Sequence, residues 1–173
     1  LKLAYLPNPG AVRLRLSAYE VEGESVAREI ERQFEALRRT IPHNVLGYET
    51  ATMQELVHRI LTERRQTLAT AESCTGGVIA SRFTAMPGAS AYFLCGVVSY
   101  SNEAKIRVLG VDADTIARYG AVSEQVARQM AEGVRRVAGA DYAIATTGIA
   151  GPTGGSAEKP VGTVWIAVAT PEG

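Results

Sequence analysis

Three polar clusters in the sequence contain residues that could carry out chemistry. They are AESCTGG at residues 71–77, SYSNEAK at residues 99–105 and TTGIAGPTGGS at residues 146–156. Serine and cysteine can act as nucleophiles, and lysine and tyrosine can transfer protons. A glycine-rich backbone can bind an anion. The clusters are therefore the candidates for a nucleophile, a base and an anion-binding loop.

The first cluster places Ser73 where a predicted strand turns into a helix. A serine at that position can attack a substrate that faces the backbone N–H groups of the helix start, or it can simply cap the helix. The residues of the cluster leave both interpretations open. Cys74 is a competing nucleophile, although a buried structural thiol is its commoner role.

The second cluster could supply the base that a serine nucleophile needs. Tyr100 ends a predicted strand, and Lys105 falls in the first turns of the following helix, so both can project over the end of the sheet. A lysine serves as a base when desolvation lowers its pKa, and a tyrosine can relay protons. His43 and His58 lie on or beside amphipathic helices, so a histidine base has no local support.

The third cluster could form an anion-binding nest of backbone N–H groups between Thr147 and Gly155. It is neither a Walker loop, because no Gly-Lys-Ser/Thr follows, nor a dinucleotide fingerprint, because its glycine spacing and element order differ. A flexible connection between two strands is an equally good interpretation of its composition.

Helices and apolar strands alternate from residue 52 onward, and this order predicts how the clusters are positioned. Thr52 and Glu55 form a capping-box signal, and Asp112 and Ser123 are predicted helix caps. We predict helices at 53–66, 75–86, 102–109, 112–119 and 124–137, and strands at 67–72, 91–100, 141–146 and 161–170. The alternation predicts a three-layer α/β/α sandwich with a mixed, mainly parallel sheet, in which sites lie beyond the carboxyl ends of strands.

Residues 1–50 form a separate small α+β module, and residues 51–173 form the main domain. In the module we predict a strand at 12–20, a helix at 23–41 that Pro42 ends, and a second strand at 45–48. Arginines of this helix alternate with glutamates, which is typical of a solvated face.

The composition excludes several classes of protein. The 18 basic and 18 acidic residues cancel, so no overall field attracts nucleic acid. No stretch resembles a membrane span or a signal peptide. Two cysteines without paired spacing indicate a reducing compartment, the cytoplasm, and no zinc site. Because the sequence lacks an initiator methionine and stops just after an apolar strand, we expect a fragment of a longer polypeptide, truncated at its C-terminal end.

Taken together, the clusters resemble the C-terminal domain of the CinA family of competence/damage-inducible proteins, which includes nicotinamide-mononucleotide amidohydrolases. The resemblance covers about residues 53–173 and rests on the three clusters in order, with YGAVSEQVA at 119–127 and KPVGTVWIA at 159–167. Residues 1–50 resemble the KH-type linker that precedes this domain in full-length members. The resemblance therefore implies an upstream nucleotide-hydrolase domain, which this sequence does not contain.

The resemblance implies hydrolysis of the carboxamide of nicotinamide mononucleotide to nicotinate mononucleotide and ammonia. Ser73 would attack the carboxamide, Lys105 would accept its proton with help from Tyr100, and backbone N–H groups at residues 75–77 would hold the oxyanion. No metal or cofactor is required by this scheme. The substrate would be bound by Thr75, Gly76, Gly77, Asn102, Thr147, Gly148, Ile149, Ala150, Gly151, Gly154 and Gly155, with its phosphate in the glycine-rich nest.

Two other functions stay open at this point. The chain could be a regulatory module that binds a nucleotide without turning it over. A nucleic-acid binder is disfavoured, because the charge is balanced and residues 1–50 lack a Gly-x-x-Gly loop followed by a basic residue. Family members tend to self-associate, so we expect a homodimer.

Overall fold

The chain forms two compact units, Leu1–Glu49 and Thr50–Gly173. The computed structural model describes residues 1–8, 11–19, 23–45 and 52–173. None of the helices in these ranges has both the length and the apolar character that crossing a bilayer requires.

The first unit contains an antiparallel hairpin followed by a helix. Strand β1 (Lys2–Asn8) pairs with strand β2 (Ala11–Ser17), and helix α1 covers Glu24–Thr40. The prediction missed β1, because its sequence pattern is recognisable only when it is aligned with its partner strand. The prediction also extended β2 beyond Ser17, to residue 20. The predicted strand at 45–48 lies outside the described residues except for Val45, which is not in a strand.

The charged face of α1 is exposed to solvent, as the alternation of arginine and glutamate predicted, and it carries several ion pairs. Arg32 makes two hydrogen bonds of 2.8 Å to Glu29, and Arg28 lies 3.5 Å from Glu24. All these side chains are exposed, so the pairs belong to a solvated surface. They give no support to a nucleic-acid site on this helix.

The second unit is built around a four-stranded sheet. The elements of this unit are α2 (Met53–Arg64), β3 (Leu68–Glu72), α3 (Val78–Thr84), β4 (Phe93–Val98), α4 (Asn102–Leu109), α5 (Ala113–Tyr119), α6 (Glu124–Ala138), β5 (Tyr142–Gly148) and β6 (Val164–Ala169), with a 3-10 turn at Ala89–Ala91. Strand β3 runs parallel to β4 and β5, and β6 runs antiparallel to β5, in the order β4-β3-β5-β6. This confirms the predicted mixed, mainly parallel sheet.

A separate hydrophobic core lies on each face of the sheet. One core joins α4, α5 and α6 to the small side chains of β3 and β5, and the other joins α2 and α3 to Leu68 and Tyr92. Gly133 lets α6 approach the end of α4, because a Cβ there would lie 2.1 Å from the carbonyl oxygen of Leu109. These layers form the predicted α/β/α sandwich.

Helix caps fix where the elements of this unit begin. Thr52 and Glu55 form the predicted capping box, and Asp112 and Ser123 cap α5 and α6 as predicted. Helix α3 starts three residues later than predicted, because Gly76 and Gly77 have φ angles of 60° and 98°. A right-handed helix cannot include these angles, so residues 73–77 form a turn over the end of β3.

The carboxyl ends of the three parallel strands coincide. Glu72 pairs in register with Val98 of β4 and with Thr146 of β5. Ser99 N donates to the Glu72 carbonyl, and Ser73 N donates to the Thr146 carbonyl. The three polar clusters therefore meet at one edge of the sheet.

Candidate active site

Ser73 and Lys105 are in direct contact in a buried part of this edge. Lys105 Nζ lies 3.1 Å from Ser73 Oγ, and the two residues are 1% and 8% exposed. Ser73 is placed by the turn after β3, whereas Lys105 reaches it from the first turn of α4, which Ser101 caps. The contact brings together the predicted nucleophile and the predicted base.

Two backbone carbonyls hold the Lys105 amine in place. Nζ lies 2.7 Å from the carbonyl oxygen of Ser99 and 3.4 Å from that of Tyr100. A neutral amine has two N–H bonds and one lone pair. When the two carbonyls accept those N–H bonds, the lone pair is left to accept the proton of Ser73.

Burial lowers the pKa of Lys105 below the ordinary value of a lysine, because desolvation disfavours the ammonium form. A negative charge on the nearby Cys74 thiol acts in the opposite direction and raises the pKa. Since desolvation is the larger effect, the site shifts the equilibrium toward the uncharged amine. This is the form that can accept a proton from serine.

Glu72, and not Ser73, caps helix α3. The Glu72 side chain is 1% exposed and accepts hydrogen bonds from the backbone N–H groups of Gly77, Ile79 and Ala80, at 3.0, 3.0 and 2.8 Å. No backbone N–H in the described ranges donates to Ser73 Oγ. The helix-cap interpretation of Ser73 is therefore wrong, and its hydroxyl is available to Lys105.

We expect Glu72→Gln to destabilise the second unit by about 2–3 kcal/mol, because hydrogen bonds to a charged acceptor contribute more than neutral ones. The amide also turns a donor toward the N–H groups of α3, where the carboxylate has only acceptors. Denaturant unfolding followed by circular dichroism measures the change.

Glu55→Gln is the matched control for this substitution. Glu55 also accepts a backbone N–H at a helix start, from Thr52 at 2.6 Å, but it is exposed and glutamine is equally suited to a capping box. An equal effect of the two substitutions would contradict the assignment of Glu72 as the buried anchor of α3.

The turn after Ser73 leaves fewer free N–H groups than predicted. Gly77 N donates to Glu72, and Gly76 N donates to the Ser73 carbonyl at 3.1 Å, so neither amide is free for an oxyanion. Among the described residues, the amides of Cys74 and Thr75 have no acceptor. The expected oxyanion donors therefore shift from residues 75–77 to residues 74 and 75.

Cys74 points toward the end of β5. Its Sγ lies 3.0 Å from the position that a Cβ on Gly148 would take, and the residue is half-buried. Gly148 thus makes room for the thiol. Thr75 Oγ1 lies 2.7 Å from Thr146 Oγ1, which joins the first and third clusters through two hydroxyls.

The glycine-rich segment closes a hairpin between β5 and β6. Ile149 N donates to the Thr163 carbonyl, and Gly162 N donates to the Ile149 carbonyl. A Cβ on Gly151 or Gly155 would approach Val161 to 2.5 or 2.7 Å. Close packing against Val161 therefore explains these two glycines without a ligand.

Two contacts anchor this hairpin to the turn between α5 and α6. Thr147 Oγ1 donates to the Ala121 carbonyl at 2.8 Å, and Lys159 Nζ donates to the Tyr119 carbonyl at 2.6 Å. The segment is thus held at both its base and its far side. Ala150, Gly151, Gly154 and Gly155 are exposed, and their role in binding stays a prediction.

The other two predicted site residues of the second cluster, Tyr100 and Asn102, lie at the surface. The Tyr100 residue is 76% exposed, and its contact with Lys105 is made by the backbone carbonyl. Asn102 is exposed at the start of α4. The sequence did not single out Glu72 or Ser99, although a carboxylate at the end of an apolar strand is a signal that could have identified Glu72.

Comparison with known proteins identifies the family. Residues 50–173 match the family model described as the CinA C-terminal domain. The chain belongs to the CinA family. A CinA-like protein of Flavobacterium psychrophilum is 48% identical over 174 residues, which cover 100% of this chain and 42% of that protein. One of Chlorobaculum tepidum is 49% identical over 168 residues, which cover 97% of this chain and 40% of that protein.

Solved structures of the CinA superfamily have the same fold. Competence damage-inducible protein A (ComA) of Klebsiella pneumoniae gives a TM-score of 0.65 at 47% identity, over 66% of this chain and 71% of that one. Competence/damage inducible protein CihA of Agrobacterium tumefaciens gives 0.67 at 46% identity, over 73% and 79%. The chain spans about two fifths of the length of the curated CinA relatives that it matches.

Proposed function

We propose that the chain hydrolyses the carboxamide of nicotinamide mononucleotide to nicotinate mononucleotide and ammonia. The observation that supports this most directly is the 3.1 Å contact between Ser73 Oγ and Lys105 Nζ in a buried site. A serine with an uncharged amine beside it has the two groups that acyl transfer from an amide needs. The CinA family, whose resemblance first suggested this substrate, supplies the rest of the argument.

The first half of the reaction acylates Ser73. Its O–H bond breaks as Oγ forms a bond to the carboxamide carbon, and the proton passes to Lys105 Nζ. The carbonyl oxygen becomes an oxyanion, which the free amides of Cys74 and Thr75 are suited to hold. Lys105 then gives its proton to the departing nitrogen, which leaves as ammonia, and the amine is neutral again.

The second half releases the acid. A water molecule attacks the ester carbon while Lys105 accepts one of its protons, and the same lysine returns that proton to Ser73 Oγ as the ester bond breaks. Water and amide are thereby converted into carboxylic acid and ammonia with no other reactant, and the two products then ionise in water to carboxylate and ammonium. One lysine serves as base and acid in turn, which requires a pKa closer to neutrality than that of an ordinary lysine.

Tyr100 has two possible contributions in this scheme. Its carbonyl helps to orient Lys105 in the resting site. Its predicted role as a proton donor would require the exposed phenol to turn toward the substrate nitrogen when the substrate binds. A phenylalanine at this position would keep the first contribution and lose the second.

We propose further that the phosphate of the substrate is bound by the exposed part of the hairpin between β5 and β6. This segment carries several glycine amides and lies next to the end of β5, which is in contact with Ser73. The homodimer, the upstream nucleotide-hydrolase domain and the cytoplasmic location also remain proposals, which the family resemblance suggests.

The test is to incubate the protein with nicotinamide mononucleotide and to measure ammonia enzymatically and nicotinate mononucleotide by chromatography. We expect equal amounts of the two products. Nicotinamide riboside, which lacks the phosphate, is expected to show a KM at least about tenfold higher, because charge-assisted hydrogen bonds to phosphate are lost.

Two results would contradict the proposal. Saturable binding of the mononucleotide in a calorimeter without ammonia would favour the non-catalytic regulatory module. Equal KM values for the mononucleotide and the riboside would contradict the proposal that the hairpin binds the phosphate. They would not contradict hydrolysis of the carboxamide.

A further inference from the structure

The hydroxyl of Ser99 is buried at the active site without a hydrogen-bond partner. Ser99 is 0% exposed, and its Oγ has no donor or acceptor within reach among the described residues. A buried hydroxyl without a partner is destabilising, so native proteins seldom retain one. We therefore looked for a partner that the Ser99 hydroxyl gains during the reaction and lacks in the resting site.

Ser99 lies beside the two residues that carry the proposed chemistry. Its N–H donates to the Glu72 carbonyl, so Ser99 follows β4 at the level at which Ser73 follows β3. Its own carbonyl oxygen is 2.7 Å from Lys105 Nζ. The unpaired hydroxyl belongs to the same residue, and rotation about one side-chain bond changes its direction.

The acceptors around Lys105 suffice for a neutral amine but not for an ammonium group during acylation. An ammonium has three N–H bonds. Ser99 O accepts one at 2.7 Å, and the Tyr100 carbonyl is a long contact at 3.4 Å. The third nearby acceptor, Ser73 Oγ, is bonded to the substrate carbon in the tetrahedral intermediate, where it is a poorer acceptor than the free hydroxyl, and it becomes an ester oxygen when ammonia leaves.

We propose that the Ser99 hydroxyl is the acceptor to which Lys105 turns while it carries the proton taken from Ser73. In this role Ser99 is a positioning residue that acts through Lys105 and does not touch the substrate. The inference rests on the proposed function for its place in the reaction. No bond forms or breaks at Ser99, and its own proton stays on Oγ.

The decisive measurement is the pKa of Lys105 by NMR of protein labelled with ¹³C at lysine Cε. The chain has only three lysines, Lys2, Lys105 and Lys159, so substitution of each surface lysine assigns the spectrum. The experiment is best done in the Ser73→Ala protein, because this substitution removes the Oγ acceptor as acylation does. We expect Ser99→Ala to lower the pKa of Lys105 by about one unit in that background.

The charges that act on Lys105 must stay the same for this comparison, and the Cys74 thiol carries one of them. The Glu72 carboxylate faces the other side of the sheet, where three amides at the start of α3 hold it. Helix α6 packs hydrophobic core residues against α4, and its Arg136 guanidinium donates to the carbonyl of Leu109 at the C-terminal end of α4. The rate at which the Cys74 thiol is alkylated is expected to stay unchanged.

Thr70→Val is the matched control. Thr70 Oγ1 is also buried without a partner, but Thr70 points to the opposite face of the sheet, toward Gly96. Its removal should leave both the Lys105 pKa and the turnover unchanged. Turnover gives a second result, because Ser99→Ala in the otherwise unchanged protein should lower kcat about tenfold with little change in KM.

A Lys105 pKa that does not respond to Ser99→Ala, or responds equally to Thr70→Val, would overturn the inference. The pKa measurement needs no substrate, so it decides the matter even if the protein releases no ammonia. Absence of ammonia release by the unsubstituted protein would instead overturn the proposed function.

Discussion

Ser73→Ala is expected to reduce ammonia release from nicotinamide mononucleotide by at least about 10³-fold, because it removes the atom that bonds to the carboxamide carbon. KM should change little, since Ser73 contributes chemistry more than binding. Steady-state kinetics with an enzymatic ammonia assay measures both values.

The structure indicates that Ser73→Ala removes the nucleophile without destabilising the fold. Because Glu72 caps α3, removal of the Ser73 hydroxyl takes no cap from the helix, and we expect the melting temperature to stay close to that of the unsubstituted protein. Ser81→Ala is the matched control, since Ser81 is exposed on α3 and should retain full activity.

Cys74→Ala distinguishes the two candidate nucleophiles. If the thiol were the nucleophile, Cys74→Ala would abolish activity and Ser73→Ala would leave most of it. We expect the reverse, because Ser73 is the residue within 3.1 Å of Lys105 Nζ, whereas the thiol lies against Gly148.

Lys105→Met is expected to lower kcat by at least about 10²-fold without lowering stability. Methionine keeps the length and the apolar character of the buried chain, and it removes a buried amine that is costly to desolvate. Lys105→Arg should be equally inactive, because a guanidinium stays protonated and cannot act as a base. Activity and melting temperature, measured on the same preparations, should therefore change independently.

The pH dependence of kcat/KM tests whether Lys105 acts as a base. Only the neutral amine accepts the proton of Ser73, so kcat/KM should rise with pH through the Lys105 pKa, which burial places below the ordinary value. The same depressed pKa means that the unfolded chain binds more protons than the folded one between that pKa and the ordinary pKa of a lysine. Stability should accordingly rise with pH in that range.

A double substitution tests whether Ser73 and Lys105 act as a unit. Ser73→Ala combined with Lys105→Met should be no slower than Ser73→Ala alone, because each residue is useless without the other. A rising pH limb that persists in Lys105→Met would show that another group is the base.

The sequence predicted the sheet, most helix starts and the meeting of the three clusters, because these follow from local rules. Thr52, Asp112 and Ser123 have side chains that cap a helix wherever they precede one. Parallel strands bring their carboxyl ends to one edge, so residues after β3, β4 and β5 had to be neighbours.

The choice between Glu72 and Ser73 as the cap of α3 could not be predicted in the same way. Successive residues of a strand point to opposite faces, so one of the two had to face α3 and the other α4. Which face each helix covers is decided by tertiary packing. The contact of Lys105 with Ser73 likewise depends on the rotation of α4 about its axis, which the Ser101 cap sets.

The hydrogen bonds of the turn at residues 73–77 could not be predicted from the sequence either. Gly76 and Gly77 were candidates for oxyanion donors by position, but their left-handed angles delay the start of α3. Glu72 then accepts the Gly77 amide, and the Ser73 carbonyl accepts the Gly76 amide.

The enclosure of Lys105 has a consequence for chemical modification. An amine with a depressed pKa is more often in the neutral form that reacts with acylating reagents than an ordinary lysine is, yet the 1% exposure of Lys105 keeps reagents away from it. Lys2, which is exposed, would be acylated in the folded protein. Acylation of Lys105 requires a local opening that moves α4 away from β3. The rate at which Lys105 is acylated therefore measures how often the active site opens locally.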